Sequence, residues 1–544
     1  MSKVAHYLQQ HVIGEVLTTP DIRRYFSTDG SVLASLPSVV MYPHNENDVR
    51  KTARFTWQLA ERGRVIPITA RGMGTDQSGA AIGTGIIMVF PAHMNKILEL
   101  DGKTGLVTVE PGLNYGKLQQ TLHTHGRFLP PFPSSLEYST IGGAVSNNSG
   151  GEKTIKYGKT RDFVKKLRVV LANGEVIETR RLSKRELDKK LGLTTLEGEI
   201  YRSLDALIEE NSQLIKNFRL DVSKNSAGYD IFDVKHKDGS FDLSPLIIGS
   251  QGTLGIVTET VLSTAPHNPD TTVIAALFDD IQVAEQVIIE LRKLSESPSA
   301  IEMVDEALLN FVDQQNPHQL KGVFTKPFPR IVLLIEFDNL NSRLQSKMVK
   351  KATKILKNNQ VVYKVETEDL AKEKLWKIRN SSAILYSHSD GGAKPLPIIE
   401  DGIVPVEKFS EFLAGIYLLF EKYKLVPSVW GHAGDANLHV QPILDLSLVG
   451  DRQKIFKLME EYSELVIGLG GSTSGEHGDG RLRAPYLKKL YGDEIYAIFQ
   501  KIKLIFDPYN TMNPGVKVNV SIDEIKPLLR QEFTINHAQH LPHN

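Results

Sequence analysis

The chain has 544 residues, 41% hydrophobic and 24% charged, an ordinary globular composition that excludes a disordered or fibrous protein and leads us to expect more than one packed core. Lys plus Arg and Asp plus Glu both number 64, and this neutral balance argues against a nucleic-acid binder, which needs a basic face. No cysteine is present, so the chain itself can hold no disulfide framework, thiolate metal site or iron–sulfur cluster.

Residues Met1–Leu17 lack the apolar core of a signal peptide, and no apolar run reaches the roughly 18 residues of a membrane span. The expectation is a cytoplasmic protein, soluble or in peripheral contact with the inner membrane face. Asn47–Arg62 has helical spacing and leads into the short apolar run Val65–Thr69, then Arg71-Gly-Met-Gly74. Gly85–Phe90 and Leu106–Val109 read as strands, and Asn114–His125 as a helix. Leu167–Leu171 and Glu175–Thr179 form a hairpin about Ala172-Asn-Gly174. Leu182–Asn217 is charged and helical, and Leu246–Leu262 reads as a glycine-punctuated strand pair. Two prolines in Ala265–Pro269 break both periodicities and mark a boundary. Beyond it, Thr272–Leu277 and Ile331–Phe337 are strand-like, while Gln282–Ser295 and Ser342–Asn358 are amphipathic helices. The expected fold is α+β in three parts: residues 1–268, residues 269–520 with the segment around Asn513 returning to the first unit, and a polar, peripheral tail from 521 to 544.

Four glycine-containing segments fall in the first unit: Arg71–Gly79, Pro133–Gly151, Tyr157–Asp162 and Gly249–Val257. Glycine lets backbone N–H groups approach an anion, and Ser, Thr and Asn add short donors for the same oxygens. Any one of these loops alone is as well read as a tight turn; four together suit a diphosphate-bearing cofactor. None is the GxGxxG fingerprint of a Rossmann domain or a Walker A loop. In the second unit Gly431–His439 and Gly475–Gly480 carry His432, His439, Glu476 and His477. Two imidazoles and a carboxylate are a common open zinc set, although other divalent ions accept the same donors. A lone His is more often structural, but these sit on glycine-rich loops, where function concentrates.

Taken in order, these segments resemble the vanillyl-alcohol oxidase/p-cresol methylhydroxylase family, in particular its branch of D-lactate dehydrogenase, D-2-hydroxyglutarate dehydrogenase and the D-type flavoprotein of glycolate oxidase. The similarity runs from about Thr28-Asp29 to Asn513-Pro514-Gly515. It implies a two-subdomain FAD-binding domain of the p-cresol methylhydroxylase type and an α/β cap domain with an antiparallel sheet. Arg71, Gly72, Met73, Gly74, Thr75, Asp76, Gln77 and Ser78 match the loop around the FAD diphosphate. Pro111, Gly112, Pro133, Ser134, Ser135, Thr140, Ile141, Gly142, Gly143, Asn148, Ser149 and Gly151 match the segments along the ribityl chain and isoalloxazine. Gly252, Gly255, Ile256 and Val257 match the adenosine side, and Tyr157, Gly158 and Asn513 complete the cofactor set. The family usually has Gly at Met73 and Glu at Gln251. Relatives with a covalent flavin use a His in the first loop; Thr75 stands here, so noncovalent FAD is expected.

The same resemblance implies that His432, His439 and Glu476 bind a divalent metal, with zinc the expected ion, and that His477 is the base near the flavin. Arg379 matches a substrate-binding arginine, an ideal grip for a carboxylate; Lys394 is a second cation and Asn437 a contact to substrate or ligand. Glu400-Asp401 matches an acidic pair of supporting role. The implied reaction is oxidation of a D-2-hydroxy acid (D-lactate, glycolate or D-2-hydroxyglutarate) to the 2-keto acid by hydride transfer to flavin. Electrons then pass to a separate acceptor: an iron–sulfur subunit, an electron-transfer flavoprotein, a quinone or oxygen. Two alternatives stay open at this point: an FAD enzyme on another alcohol without a metal, and a non-catalytic assembly subunit that keeps the flavin fold.

Overall fold

Three sheets carry the fold, and their strands lie where the sequence runs apolar or alternates. The computed structural model describes residues 3–380, 392–426 and 428–533. Glu15–Leu17, Val39–Tyr42, Ile86–Val89 and Ile68–Arg71 form a mixed four-stranded sheet in that order, its last three strands parallel. Val39–Tyr42 and Ile86–Val89 are buried at every position, as strands covered on both faces must be.

The second sheet is antiparallel, in the order Ile97–Asp101, Leu106–Val109, Ile256–Ser263, Val164–Val170, Val176–Thr179. Its last two strands are the expected hairpin, with Gly174 at φ +82° in the turn. The expected strand pair in Leu246–Leu262 is a single strand, because Ser244–Ile247 is a helical turn and Gly249, Gln251 and Gly252 all take positive φ. Leu204 and Leu207 of helix Leu196–Glu210 and Leu487, Phe499 and Phe506 of helix Leu487–Phe506 share one core with Val107 and Leu167. Residues 487–518, grouped by sequence with the second unit, thus complete the core of the first.

The third sheet has seven antiparallel strands: Val362–Glu366, Thr272–Phe278, Ile331–Phe337, Ala300–Asp305, Val429–His432, Asn437–Val440 and Gly402–Ile403. One face (Ile274, Leu333, Met303, Val429, Leu438) packs on helices Ile281–Arg292, Ser342–Asn358, Phe409–Tyr423 and Val449–Gly468. The other face (Val273, Leu334, Val304, Trp430) packs on helices Glu306–Gln315 and Asp369–Arg379. The two-residue period puts Glu336, Glu302 and His432 on this second face, and register places His439 directly opposite Trp430. Apolar alternation in the strands therefore delivers the titratable groups to one side of the sheet. That side meets the first unit, where Lys153 donates to Glu336, Lys156 donates to Asp338, and Tyr157 Oη donates to Asp338 at 3.0 Å.

These sheets match the architecture the sequence resemblance implies, two subdomains with an antiparallel cap. The tail expected to be peripheral packs in part: Ile525 and Phe533 are buried in the same core as Val32 and Leu33. Residues 534–544 lie outside the described residues. No helix among the described residues is long and apolar enough to cross a membrane.

Asp305 joins two of these elements. It caps helix Glu306–Gln315 by accepting from Leu308 N at 2.9 Å, and ties in the next strand by accepting from Val429 N at 3.0 Å. Burial pushes its carboxyl from 3.8 to about 7. A raised folded-state value means that its contribution to stability is present below the unfolded value and lost as pH rises through about 7. Asp305→Asn, which does not titrate, should lower the urea midpoint more at pH 5 than at pH 8; an equal loss at both would contradict this.

Candidate active site

A cavity of about 490 Å³ runs between the glycine loops and the cap sheet. Its first wall is the loop that follows strand Ile68–Arg71. Asp76 holds the turn, accepting from Ser78 N at 3.0 Å and Ala80 N at 2.7 Å. Gly74 sits at φ +77°. At Gly72 a Cβ would stand 2.4 Å from Thr140 Oγ1, and at Gly142 2.6 Å from Pro111, so the loops meet only because side chains are missing. Among the described residues the N–H groups of Gly74, Thr75, Asp76 and Gln77 make no backbone hydrogen bond. Free donors in a tight turn are what a diphosphate needs, so these residues fit FAD.

Most of the cofactor residues expected from sequence line this cavity: Arg71 to Gln77, Pro111, Pro133 to Ser135, Thr140, Gly142, Gly143, Ser149, Gly252 and Gly255 to Val257. Ser78, Gly112, Ile141, Asn148, Gly151, Tyr157, Gly158 and Asn513 are not on its wall. Several of them brace it instead: Ser78 bonds Asp76, and Asn513 donates to Ala80 O and Gln251 O at 2.8 Å each. Gln251 is itself on the wall. Its Nε2 donates to Ser78 Oγ at 3.2 Å and Asn147 Oδ1 at 3.1 Å, while Oε1 accepts from Gly480 N at 2.8 Å. The amide thus ties the diphosphate loop to the loop that carries Glu476 and His477. A glutamate could accept from Gly480 but could not donate to Asn147.

The far wall of the cavity holds Glu400, Trp430, His439, Gln441, Glu476 and His477. Three imidazoles converge on one oxygen: Glu476 Oε1 lies 2.9 Å from His432 Nε2, 3.5 Å from His439 Nε2 and 3.8 Å from His477 Nε2. The opposite ring nitrogens are each fixed by a carboxylate. His432 Nδ1 is 2.8 Å from Glu302, His439 Nδ1 is 3.1 Å from Glu400, and His477 Nδ1 also bonds Glu400. Carboxylates behind imidazoles orient the free Nε2 toward a shared point, the usual support of a metal-ligating His. His432, His439 and Glu476, and separately His439 and His477 with Glu400, have donor atoms close enough to hold one ion.

The electrostatics favour a cation as well. Burial pulls His432 and His477 down, but Glu302 and Glu476 around the first, and Glu400 and Asp401 around the second, outweigh it and raise them to about 9 and about 10. Burial would raise Glu400 and Glu476; the imidazoles beside both, and Lys224 beside Glu476, hold them well below the carboxylate range. Four buried carboxylates (Glu302, Glu400, Asp401, Glu476) face three fixed cations (Lys224, Arg379, Arg483). With neutral imidazoles one negative charge is in excess, and a divalent ion would turn the site one charge positive.

Arg379 is buried and pairs with Glu302, through Nε at 2.7 Å and Nη2 at 2.6 Å, one residue before Asn380 on the cavity wall. Lys394 is half-buried on strand Ala393–Pro395 and does not line the cavity. Asn437 is fully buried, donates to Asp401 O and Gly402 O at 3.1 Å each, and leaves its Oδ1 unpartnered. Asp401 in turn accepts from the backbone N–H of Glu476 and His477. Sequence reasoning missed Glu302 and Lys224. A carboxylate inside the apolar run Ala300–Val304 was a legible signal for Glu302; Lys224, on a loop of the first unit, had none. Glu302→Gln should weaken divalent-ion binding about 10–100-fold and, by leaving Arg379 buried without a counter-charge, lower stability by about 3–5 kcal/mol. Calorimetric metal titration and urea unfolding read the two effects; parent-like ion affinity would show that Glu302 does not support the site.

Residues 37–180 match the family model described as FAD binding domain, and residues 267–516 match FAD linked oxidases, C-terminal domain. A D-2-hydroxyglutarate dehydrogenase of Escherichia coli (strain K12) is 31% identical over 527 residues, covering 93% of this chain and 50% of that protein. The chain spans about half the length of the curated D-2-hydroxyglutarate dehydrogenases it matches. Glycolate oxidase subunit GlcD of Bacillus subtilis (strain 168) is 31% identical over 484 residues, covering 88% of this chain and 89% of that one. Among solved structures, p-cresol methylhydroxylase with substrate bound superposes with a TM-score of 0.68 at 14% identity, over 96% of this chain and 97% of that one, a likeness of fold alone. With both domain models matched in order and GlcD similar over most of its length, the chain belongs to the FAD-linked oxidases, in the branch of GlcD and the D-lactate and D-2-hydroxyglutarate dehydrogenases.

Proposed function

We propose that the protein is an FAD-dependent, metal-assisted dehydrogenase of a small D-2-hydroxy acid. One observation carries this reading: a single cavity has the diphosphate-type glycine loops at one end and His439, Glu476 and His477 at the other. FAD, when bound, supplies the hydride-accepting chemistry. His432, His439 and Glu476 would hold a divalent cation, with zinc the ion best suited to the donors, and it would supply Lewis acidity.

The chain's own residues do the rest. His477, with Nδ1 held by Glu400, takes the hydroxyl proton at Nε2; the carboxylates around it favour the protonated ring, and a divalent cation beside it would offset them and free that nitrogen. Glu302 and Glu400 keep the three imidazoles aimed at one point. Asp401, itself held by Asn437, fixes the backbone that carries Glu476 and His477. With a divalent ion held there and the imidazoles neutral, the site would carry a net positive charge and would favour an anionic substrate. Trp430 adds an apolar surface to the same wall. Electrons leave to a separate acceptor. The names of the relatives support the substrate class, since they act on D-2-hydroxyglutarate, D-lactate or, through GlcD, belong to a glycolate oxidase.

Anaerobic titration of the purified yellow protein with D-lactate, glycolate and D-2-hydroxyglutarate tests the reading. At least one should bleach the flavin band, and the L-enantiomer of a chiral substrate should not. A yellow protein that none of the three reduces would sink the substrate class while leaving the fold untouched.

A further inference from the structure

Helix Ser342–Asn358 covers the face of the cap sheet opposite His432, His439 and Glu302. Its inner side is Met348, Ala352 and Leu356, all fully buried. Its outer side carries Arg343, Lys347, Lys350, Lys351, Lys354 and Lys357, all exposed. At 3.6 residues per turn this spacing holds the six within about a third of the circumference. The helix contains no Asp or Glu. Along the chain the neighbouring ion pairs are Lys326–Asp313 and Lys364–Glu366, and none of the six makes one among the described residues.

In a chain of zero formal charge this is a concentrated, uncompensated stripe. Like charges three and four residues apart weaken a helix, so folding does not call for it. We propose that this face is an electrostatic docking surface for an anionic lipid membrane. Composition favours lipid over an acidic protein. Five of the six cations are lysines, which protein interfaces deplete, and the stripe offers none of the aromatic anchors such interfaces centre on. Diffuse headgroup charge attracts clustered lysines without specific geometry. Exposed Leu340 (66%) precedes the helix and can enter the headgroup layer. Because the cluster faces the other way, docking leaves the cavity accessible. The inference holds whichever acid the enzyme oxidises.

Co-sedimentation of the full-length holoprotein with vesicles of phosphatidylcholine, alone or mixed with phosphatidylserine, tests it. Binding is expected only with phosphatidylserine, should fall as salt screens the charges, and should drop about tenfold or more in K347E/K350E/K354E. That variant should reduce a soluble dye acceptor at the parent rate. No binding of the parent to anionic vesicles, equal binding of the variant, or salt-insensitive binding would overturn the proposal. Capture by polyglutamate beads without vesicle binding would also overturn it, in favour of an acidic protein.

Discussion

His477→Gln is expected to slow flavin reduction by substrate about 10²–10⁴-fold, the usual worth of a positioned general base, without changing metal or flavin content. Exposure separates the three imidazoles. The His477 side chain is 27% exposed, against 6% for His432 and 9% for His439. It is also the farthest of the three from Glu476 Oε1, at 3.8 Å. It therefore opens furthest to the cavity, while His439 shows less of its ring there and His432 is off the wall, the geometry of a base beside a metal. His439→Ala should instead lose the ion. Stopped-flow reduction together with metal analysis distinguishes them: loss of the ion in His477→Gln would make His477 a ligand and leave the base unassigned.

Glu476→Ala should cost as much stability as Glu302→Gln, in addition to abolishing metal binding. Glu476 is the point on which all three imidazoles converge, and its other oxygen accepts from Lys224. The Lys224 side chain is 0% exposed and has no other carboxylate partner among its bonds. Removing one member of a buried pair strands the other, at about 3–5 kcal/mol. Adding Lys224→Met should restore most of that loss, since a buried pair replaced by apolar groups is nearly neutral, but should not restore the ion. Urea unfolding of the two variants shows whether this coupling exists; additive losses in the double variant would contradict it. Lys224 belongs to the first unit and Glu476 to the return loop, so the pair also locks the loop that carries Glu476 and His477 onto the first unit.

The local features of the fold are legible in the sequence. Strands Leu106–Val109 and Ile331–Phe337, the Asn173-Gly174 hairpin and helix Ser342–Asn358 follow directly from period and turn chemistry. The Gly249–Gly255 run reads as strand because its apolar neighbours are strand-like, whereas positive φ at Gly249, Gln251, Gly252 and Gly255 turns the chain there before Ile256. The wall of the cavity is legible for the same reason in reverse: glycines mark where loops approach, as at Gly72 and Gly142. What supports that wall is not. Glu302, Lys224 and the return of Leu487–Phe506 depend on which strands become neighbours, and spacing within one segment carries no information about that. Arg379 shows the limit of a motif match. Its burial against Glu302 makes it an orienting partner of the His432 carboxylate in this structure, and a grip on substrate would require that pair to open.

Removing the metal alone tests most directly whether the flavin loops and the His–Glu cluster serve one reaction. The reducing acid found by titration is added anaerobically to chelator-treated protein, with flavin absorbance confirmed beforehand, and then again after a divalent ion is restored. The expected result is a flavin band that stays yellow without the ion and bleaches once zinc or another divalent ion returns. Full bleaching at the parent rate in protein shown to be metal-free would contradict a shared reaction, and would leave the three imidazoles as supports of a cavity whose chemistry needs no ion.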